Sequence, residues 1–146
     1  MAYIRGVDRN EVLLFPECVE DYITEDNPVR FIDAFVESLD LVELGFVRAT
    51  PADTGRPAYD PGALLRLYVY GYLNRARSSR MLEREARVNV EVMWLVGKLT
   101  PDFKTIADFR RDNLTALKRV CREFTLLCKK LELFGGELVA IDGSKR

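Results

Sequence analysis

The sequence predicts a mainly α-helical protein: a compact domain of about five to six helices, one of them long and C-terminal, followed by a single short unpaired strand. Apolar residues recur at helical spacing through most of the chain between residues 28 and 132. Asn-Pro, Asp-Pro and Gly stand where these periodic segments begin and end. The chain has 146 residues, 48% of them hydrophobic and 31% charged, so it is long enough to bury a substantial core.

Three segments are expected along the chain. Residues 1–16 form an extended arm, whose apolar end at 13–16 can pack on the domain. Residues 17–134 form the helical domain and open with a single helical turn. Residues 137–146 form a short C-terminal segment, in which an apolar run of strand length leads to an Asp and has no partner strand in view.

The first two main helices share one kind of start signal. Asn27 precedes a Pro and predicts an N-cap for an amphipathic helix over 28–39, whose outer face, with Asp33 and Glu37, is expected to be solvated. Asp60 precedes a Pro in the same way. The segment behind it, 63–73, is apolar on nearly every side, which predicts the central buried helix.

Two short helices follow a polar turn. Ser78 or Ser79 can cap the first of them, in which Met81, Leu82 and Ala86 are expected to face inward. The second, about 89–97, carries the only Trp of the chain and ends at a Gly.

A long final helix is predicted over about 105–132. Thr105 and Asp108 have the spacing of a capping box at its start, and a stripe of apolar residues follows. Cys121 and Cys128 are seven residues apart on this stripe and are expected to be small buried hydrophobic residues.

The net charge of −1 hides an uneven distribution. Residues 1–60 hold 5 basic and 13 acidic side chains, a net charge of −8, and residues 61–146 hold 17 basic and 10 acidic side chains, a net charge of +7. Such a division indicates either a basic nucleic-acid-binding face beside an acidic segment, or two halves of one domain that attract each other.

This sequence lacks the residues that several classes of function require. The chain has no His and an odd number of Cys, which makes a zinc site or an activated nucleophile improbable on pattern. No Gly-rich loop leads to a Lys in the manner of a phosphate-binding loop. No apolar run approaches the roughly 20 residues of a membrane helix, and the N-terminus lacks the long apolar core of a signal peptide, so a cytoplasmic protein is expected.

Basic side chains are concentrated in two clusters that predict contact with DNA. The first lies at 75–87, on a turn and the helix after it, and the second at 110–122, on the predicted long helix. Three arginines of the first cluster are at i, i+4 and i+7 and therefore share one helix face, and arginine is suited to bidentate phosphate contact. The two short helices can form a helix-turn-helix-like unit around them. The alternative is that these arginines pair with Glu83, Glu85, Glu91 and Asp108 and only solubilise the surface. The candidate DNA-binding residues are Arg75, Arg77, Arg80, Arg84, Arg87, Arg110, Arg111, Lys118 and Arg119, with Arg122 on the same helix as the last two.

Ordered sequence blocks give the chain a family resemblance. The run RPAYDPGALLRLYVYGYL at 56–73 resembles the opening of the N-terminal helical domain of InsH-type insertion-sequence transposases, which belong to the DDE class. SRMLE at 79–83, WLVG at 94–97 and PDFKTIADFRR at 101–111 are similar to the next blocks of that family. The final AIDGSK at 140–145 resembles the strand that carries the first acidic residue of the DDE triad.

The resemblance implies a fragment of a DNA transposase. Asp142 would be the first triad carboxylate and a ligand of Mg²⁺ or Mn²⁺, and the rest of the RNase H-like core would lie beyond residue 146, so the chain alone is expected to be inactive in metal-dependent strand transfer. The helical domain would bind double-stranded DNA at the terminal inverted repeats of the element, in a prokaryotic nucleoid. The alternative is a helical dimerisation module that inhibits full-length transposase by joining it in mixed dimers.

Overall fold

The structure, a computed structural model, describes residues 3–14, 17–47 and 58–134. Within these residues it contains one 3-10 helix, seven α-helices and no strand. The predicted mainly α-helical fold is confirmed, with more helices than the five or six expected. The elements are the 3-10 helix Val19–Tyr22, α1 Pro28–Glu37, α2 Leu41–Leu44, α3 Pro61–Asn74, α4 Ser79–Val88, α5 Val90–Val96, α6 Phe103–Asp112 and α7 Leu114–Phe134.

The central helix of the domain is α3, as its all-round apolar sequence predicts. It packs against α1, α4, α5 and α7. Leu65, Leu67 and Val69 are almost fully buried. Full burial of one such side chain stabilises a fold by about 1.5–3 kcal/mol, so α3 contributes substantially to the stability of the core.

Side chains cap the helices where the sequence predicts starts. The side chain of Asn27 accepts a hydrogen bond from the N–H of Val29 at 3.0 Å, and that of Asp60 accepts one from Gly62 at 3.1 Å. Ser78, rather than Ser79, caps α4 through the N–H of Met81 at 2.9 Å. Each cap satisfies one of the N–H groups that a helix start leaves without an intrahelical acceptor.

The predicted long C-terminal helix is wrong in one respect, because it is broken into α6 and α7 at Asn113. This residue is buried, and its side-chain N–H donates to the carbonyl oxygen of Phe109 at 2.9 Å. Its side-chain oxygen accepts from the N–H of Val47 at 2.7 Å. The predicted capping box is wrong as well, since Asp102 caps α6 through the N–H of Thr105 at 2.9 Å. The backbone and side-chain hydrogen bonds from Thr105 lower the pKa of the Asp102 carboxyl, the one from the backbone N–H most strongly.

The outer face of α1 is exposed to solvent as expected, with Glu37 81% exposed, and it also carries ion pairs. Arg66 of α3 bridges Asp33 at 2.8 Å and Glu37 at 2.9 Å. A correction concerns α4, where Leu82 and Ala86 face inward as predicted but Met81 is 48% exposed. The ion pairs join the acidic half of the chain to its basic half.

The N-terminal arm has no helix or strand within residues 3–14. Leu13 is 48% and Leu14 is 86% exposed, so the expected packing of this apolar end on the domain is wrong for these two residues. The other two residues of that end, at 15–16, lie outside the described residues. So do residues 135–146, with the predicted strand and Asp142.

Helix α7 closes the core through an aromatic cluster. The ring of Phe124 lies 5.7 Å from that of Phe31 and 5.1 Å from that of Phe35, both on α1. Cys121 and Cys128 are buried on the same helix, as predicted. Burial raises the pKa of the Cys121 thiol to about 11. None of the described helices is both long and apolar enough to span a membrane.

Candidate nucleic-acid interface

A four-residue turn, 75–78, fixes α4 against the end of α3. Arg75 takes the left-handed conformation, with φ 61°, and the N–H of Ala76 donates to the carbonyl oxygen of Gly71 at 2.9 Å. A Cβ atom on Gly71 would lie 2.5 Å from the carbonyl oxygen of Ala76 and 3.0 Å from a methyl carbon of Leu82. Only glycine therefore permits this close approach of the turn and α4 to α3.

One face of α4 is buried and the opposite face is basic. Leu82 and Ala86 are each 1% exposed and hold the helix on the core. Arg80, Arg84 and Arg87 are exposed on the other side, as their spacing indicates. The long side chains therefore project from a helix whose position is set by packing.

These three arginines differ in their contacts. The guanidinium carbon of Arg80 lies 3.9 Å from the ring centroid of Phe103, the first residue of α6. Arg87 pairs with Glu83 at 3.3 Å. Within the described part of the chain, Arg84 forms no ion pair. Its positive charge is therefore open to a ligand.

Arg110 of α6 reaches back to the turn. It donates a hydrogen bond to the backbone carbonyl oxygen of Arg77, and its guanidinium carbon lies 5.6 Å from the ring centroid of Tyr68. Burial raises the pKa of Tyr68, while Arg110 and Arg77 act against that rise. Both cations therefore lie within electrostatic reach of the same phenol.

Most other arginines of the described residues are neutralised by carboxylates. Arg30 pairs with Glu20, Arg66 with two carboxylates of α1, Arg111 with Asp108 and Asp112, and Arg119 with Glu123. Five arginines around the α3–α4 turn form no ion pair with any described carboxylate. We call this group the arginine surface, and it consists of Arg75, Arg77, Arg80, Arg84 and Arg110.

The second basic cluster does not line a single helix. The break at Asn113 puts Arg110 and Arg111 on α6 and the remaining members on α7. Lys118 and Arg122 are exposed on α7. Only Arg110 of this cluster lies next to the first cluster, because α6 packs on α4.

The predicted helix-turn-helix pair, α4 and α5, stays a prediction, and a second pair of helices is an alternative to it. Helix α5 packs on α1, α3 and the 3-10 helix, with Val92, Leu95 and Val96 buried, and it carries no basic residue. Helices α3 and α4 are joined by the four-residue turn 75–78, and the second of them is basic. Gly71, four residues before the left-handed Arg75, is the residue in the sequence that could have indicated this close pair of helices.

A polar network that the sequence analysis missed holds the α4–α5 junction. Asn89 ends α4 and caps α5, and its side chain donates to Glu85 at 2.8 Å and to the hydroxyl of Tyr70 at 3.0 Å. The Tyr70 hydroxyl donates to the same Glu85 oxygen at 3.2 Å. Burial and, next, the charge of Glu85 raise the pKa of Tyr70 to about 12. Glu85 thus orients α4 rather than neutralising an arginine.

A second missed contact fastens the acidic N-terminal segment. Glu20 accepts from the indole N–H of Trp94 at 2.7 Å and pairs with Arg30 at 2.7 Å. Arg30 also lies over the Trp94 ring, 4.9 Å from its centroid. The hydrogen bond from Arg30 is the main reason that the pKa of Glu20 is lowered.

No group of three or more His, Cys, Asp or Glu side chains within residues 3–14, 17–47 and 58–134 is arranged to hold a metal ion. The described side chains therefore do not fit a two-metal site. Asp142, the ligand that the resemblance implies, lies outside them.

The described fold and its arginine surface define the chain as a small helical domain with a concentrated patch of positive charge. Residues 17–112 match the family model described as Transposase domain (DUF772). The match covers more than half of the chain, so the chain belongs to this transposase-domain family, and its resemblance to an N-terminal transposase domain is confirmed. Comparison with curated proteins and comparison with solved structures gave no match.

Proposed function

We propose that this transposase domain binds double-stranded DNA through the arginine surface and recognises the terminal inverted repeats of its element. The observation that supports the proposal is the clustering of five unneutralised arginines around the α3–α4 turn, whereas five of the eight other described arginines are ion-paired. Phosphate oxygens offer the negative charge that these guanidinium groups lack, and arginine can contact them with two parallel hydrogen bonds.

Helix α4 is the element proposed to enter the major groove. Its ten residues span about 15 Å, and a major groove about 12 Å wide accepts an α-helix. Arg84 can donate to the paired acceptors of a guanine, and the exposed Met81 and Val88 offer apolar contact with a thymine methyl group. The turn residues Arg75 and Arg77 would then contact the flanking phosphates.

The test is duplex binding by the full chain across a salt series. Fluorescence anisotropy compares a labelled duplex that carries the terminal repeat with a scrambled duplex of equal length. If the four arginines other than Arg84 each neutralise one phosphate, log affinity should fall against log salt with a slope of about −3.6. Arg75→Gln should weaken binding to both duplexes and reduce the steepness by about 1.

Lys129→Gln is the matched control, since Lys129 is exposed on α7, is not a member of the arginine surface and loses the same charge. Its slope should equal that of the wild type. Equal losses in the two variants would mean that only net charge matters. Absence of binding to either duplex at low salt would overturn the proposal.

We also propose that Asp142 acts in strand transfer, together with further carboxylates that are not among the described residues. By resemblance, Asp142 would hold Mg²⁺ or Mn²⁺ as the first of three such ligands. Both the metal and the catalytic role remain predictions.

A second candidate function, assembly with another copy or with full-length transposase, has one observation in its favour. Apolar side chains of the N-terminal arm are exposed to solvent, among them Tyr3, Ile4, Val7, Val12 and Leu14. Exposed apolar side chains in such number are typical of a segment that contacts a partner.

A further inference from the structure

A surface cleft of about 240 Å³ lies between the second half of α3, the turn 75–78 and α6. Two aromatic side chains, Tyr68 and Tyr72, and two cations, Arg77 and Arg110, line it. Gly71, Ala76 and Leu82 complete the lining. The cleft therefore offers flat rings and positive charge side by side, which is the combination that unpaired nucleotides require.

The charge of this cleft is not neutralised by the carboxylates of the described residues. No described carboxylate forms an ion pair with Arg77 or Arg110. Arg110 uses part of its guanidinium on the carbonyl oxygen of Arg77, and a guanidinium has five N–H donors, so donors remain for a ligand. The site is therefore selective for an anion and not for a neutral or cationic group.

The two rings are held in place by different contacts. Tyr68 is half-buried beneath Arg110, and Tyr72 is 38% exposed with its hydroxyl 3.0 Å from that of Thr125 on α7. The ring of Tyr72 is thus positioned by a hydrogen bond at its tip, while part of its surface stays open. A planar base can stack on such a surface without any change in the fold.

We propose that the cleft binds one unpaired nucleotide of a DNA strand, with its phosphate on Arg77 and Arg110 and its base on the tyrosine rings. The volume is below the range of about 300–1,000 Å³ that holds whole small-molecule ligands, which favours a single partly inserted group. This inference rests on the proposed function, since Arg77 and Arg110 would hold the phosphate of an unpaired end or an extruded base that continues the bound duplex.

The experiment compares two probes that share one duplex sequence, a blunt duplex and the same duplex with three unpaired thymidines at one 3′ end. The full chain should bind the second probe at least about fivefold more tightly, the lower end of what one stacked base contributes. Arg77→Gln and Tyr72→Ala should abolish this preference. Tyr72→Phe keeps the ring but loses the hydrogen bond to Thr125, so it should retain the larger part of this preference, and Lys129→Gln should retain all of it.

Competition in ligand-observed NMR distinguishes a nucleotide site from a simple phosphate site. Thymidine monophosphate should bind more tightly than inorganic phosphate if base and phosphate are both recognised. Equal displacement by the two would overturn the nucleotide assignment and leave a simple phosphate site. Thermal unfolding of each variant shows that its fold is retained, which the exposed positions of Arg77 and Tyr72 lead us to expect.

The outcomes distinguish this inference from the proposed function. Equal affinity of the wild type for both probes overturns the nucleotide site and leaves duplex binding standing. Retention of the preference in Arg77→Gln and Tyr72→Ala also overturns it, because the unpaired nucleotides would then bind elsewhere. Failure to bind either probe overturns both proposals.

Discussion

Gly71 occupies the closest contact between α3 and the turn that follows it. Alanine is the better helix former by about 1 kcal/mol, so propensity alone favours Gly71→Ala. Packing opposes it, because the added Cβ atom would lie 2.5 Å from a backbone oxygen that cannot move without shifting the turn. At this residue the contact outweighs the propensity.

We predict that Gly71→Ala destabilises the protein by about 1–3 kcal/mol, the range for overpacked sites. Urea denaturation measures the change. Gly62→Ala is the matched control, since its Cβ atom would meet the flexible end of Arg66 at 3.1 Å and make ordinary contacts with the Asp60 carboxylate at 3.5 Å, so its cost should be much smaller. A Gly71→Ala protein as stable as the wild type would contradict the close approach.

At the scale of helices, the junction of α6 and α7 shows how a distant segment ends a helix. The apolar stripe continues through residue 113, and no Pro or Gly interrupts it there. Asn113 nevertheless leaves helical geometry, because its side chain bonds both Phe109 and the N–H of Val47. Nearby, Phe46 stacks on Phe109 with ring centroids 5.9 Å apart.

We expect Asn113→Ala to destabilise the fold by about 1–3 kcal/mol, because the N–H of Val47 loses its acceptor. Thermal unfolding followed by circular dichroism measures the loss. Asn10→Ala, in the exposed arm, provides a control that should change nothing. Unchanged stability of Asn113→Ala would mean that the break is set by other contacts.

At the scale of the whole molecule, the acidic half of the chain contacts some residues of the basic half, while other described basic residues form no ion pair. The acidic half contributes Asp33 and Glu37 to Arg66, and Glu20 to Trp94. These contacts support attraction between the halves. The arginine surface keeps its charge beyond them, which supports a basic face for nucleic acid, so the two interpretations of the charge pattern apply to different residues.

The arm and the domain are predicted to act separately. Residues 3–14 carry two arginines and two carboxylates, so their removal takes no net charge from the chain. We predict that a chain lacking residues 1–14 binds duplex DNA within about twofold of the wild type, since the electrostatic term is unchanged. Fluorescence anisotropy tests this.

Light scattering on the same pair of chains tests the assembly function. If the arm joins copies, the wild type should dimerise with concentration and the shortened chain should stay monomeric. A tenfold loss of DNA affinity in the shortened chain would contradict the separation of roles and make the arm part of the interface.

Local signals in the sequence determined most helix starts, the buried course of α3, the inward cysteines of α7 and the clustering of arginines. Each depends on residues a few positions apart, such as Asn27 before a Pro or the apolar spacing of α1. The family was also indicated by ordered local blocks, and the match over residues 17–112 confirmed it.

Tertiary structure alone decided three features. They are the helix break at Asn113, the packing of α5 among other helices while α4 keeps a basic face exposed, and which described arginines stay unneutralised. The physical reason is that the first two features, and the ion pairs of Arg66, depend on partners far away in the chain. Local pairs such as Glu83 with Arg87 depend on which side chains the fold leaves within reach of each other. The N–H of Val47 is 66 residues from Asn113, and Asp33 is 33 residues from Arg66. Helical spacing placed Arg84 and Arg87 on one face, but only the folded chain shows that Glu83 neutralises Arg87 and leaves Arg84 open.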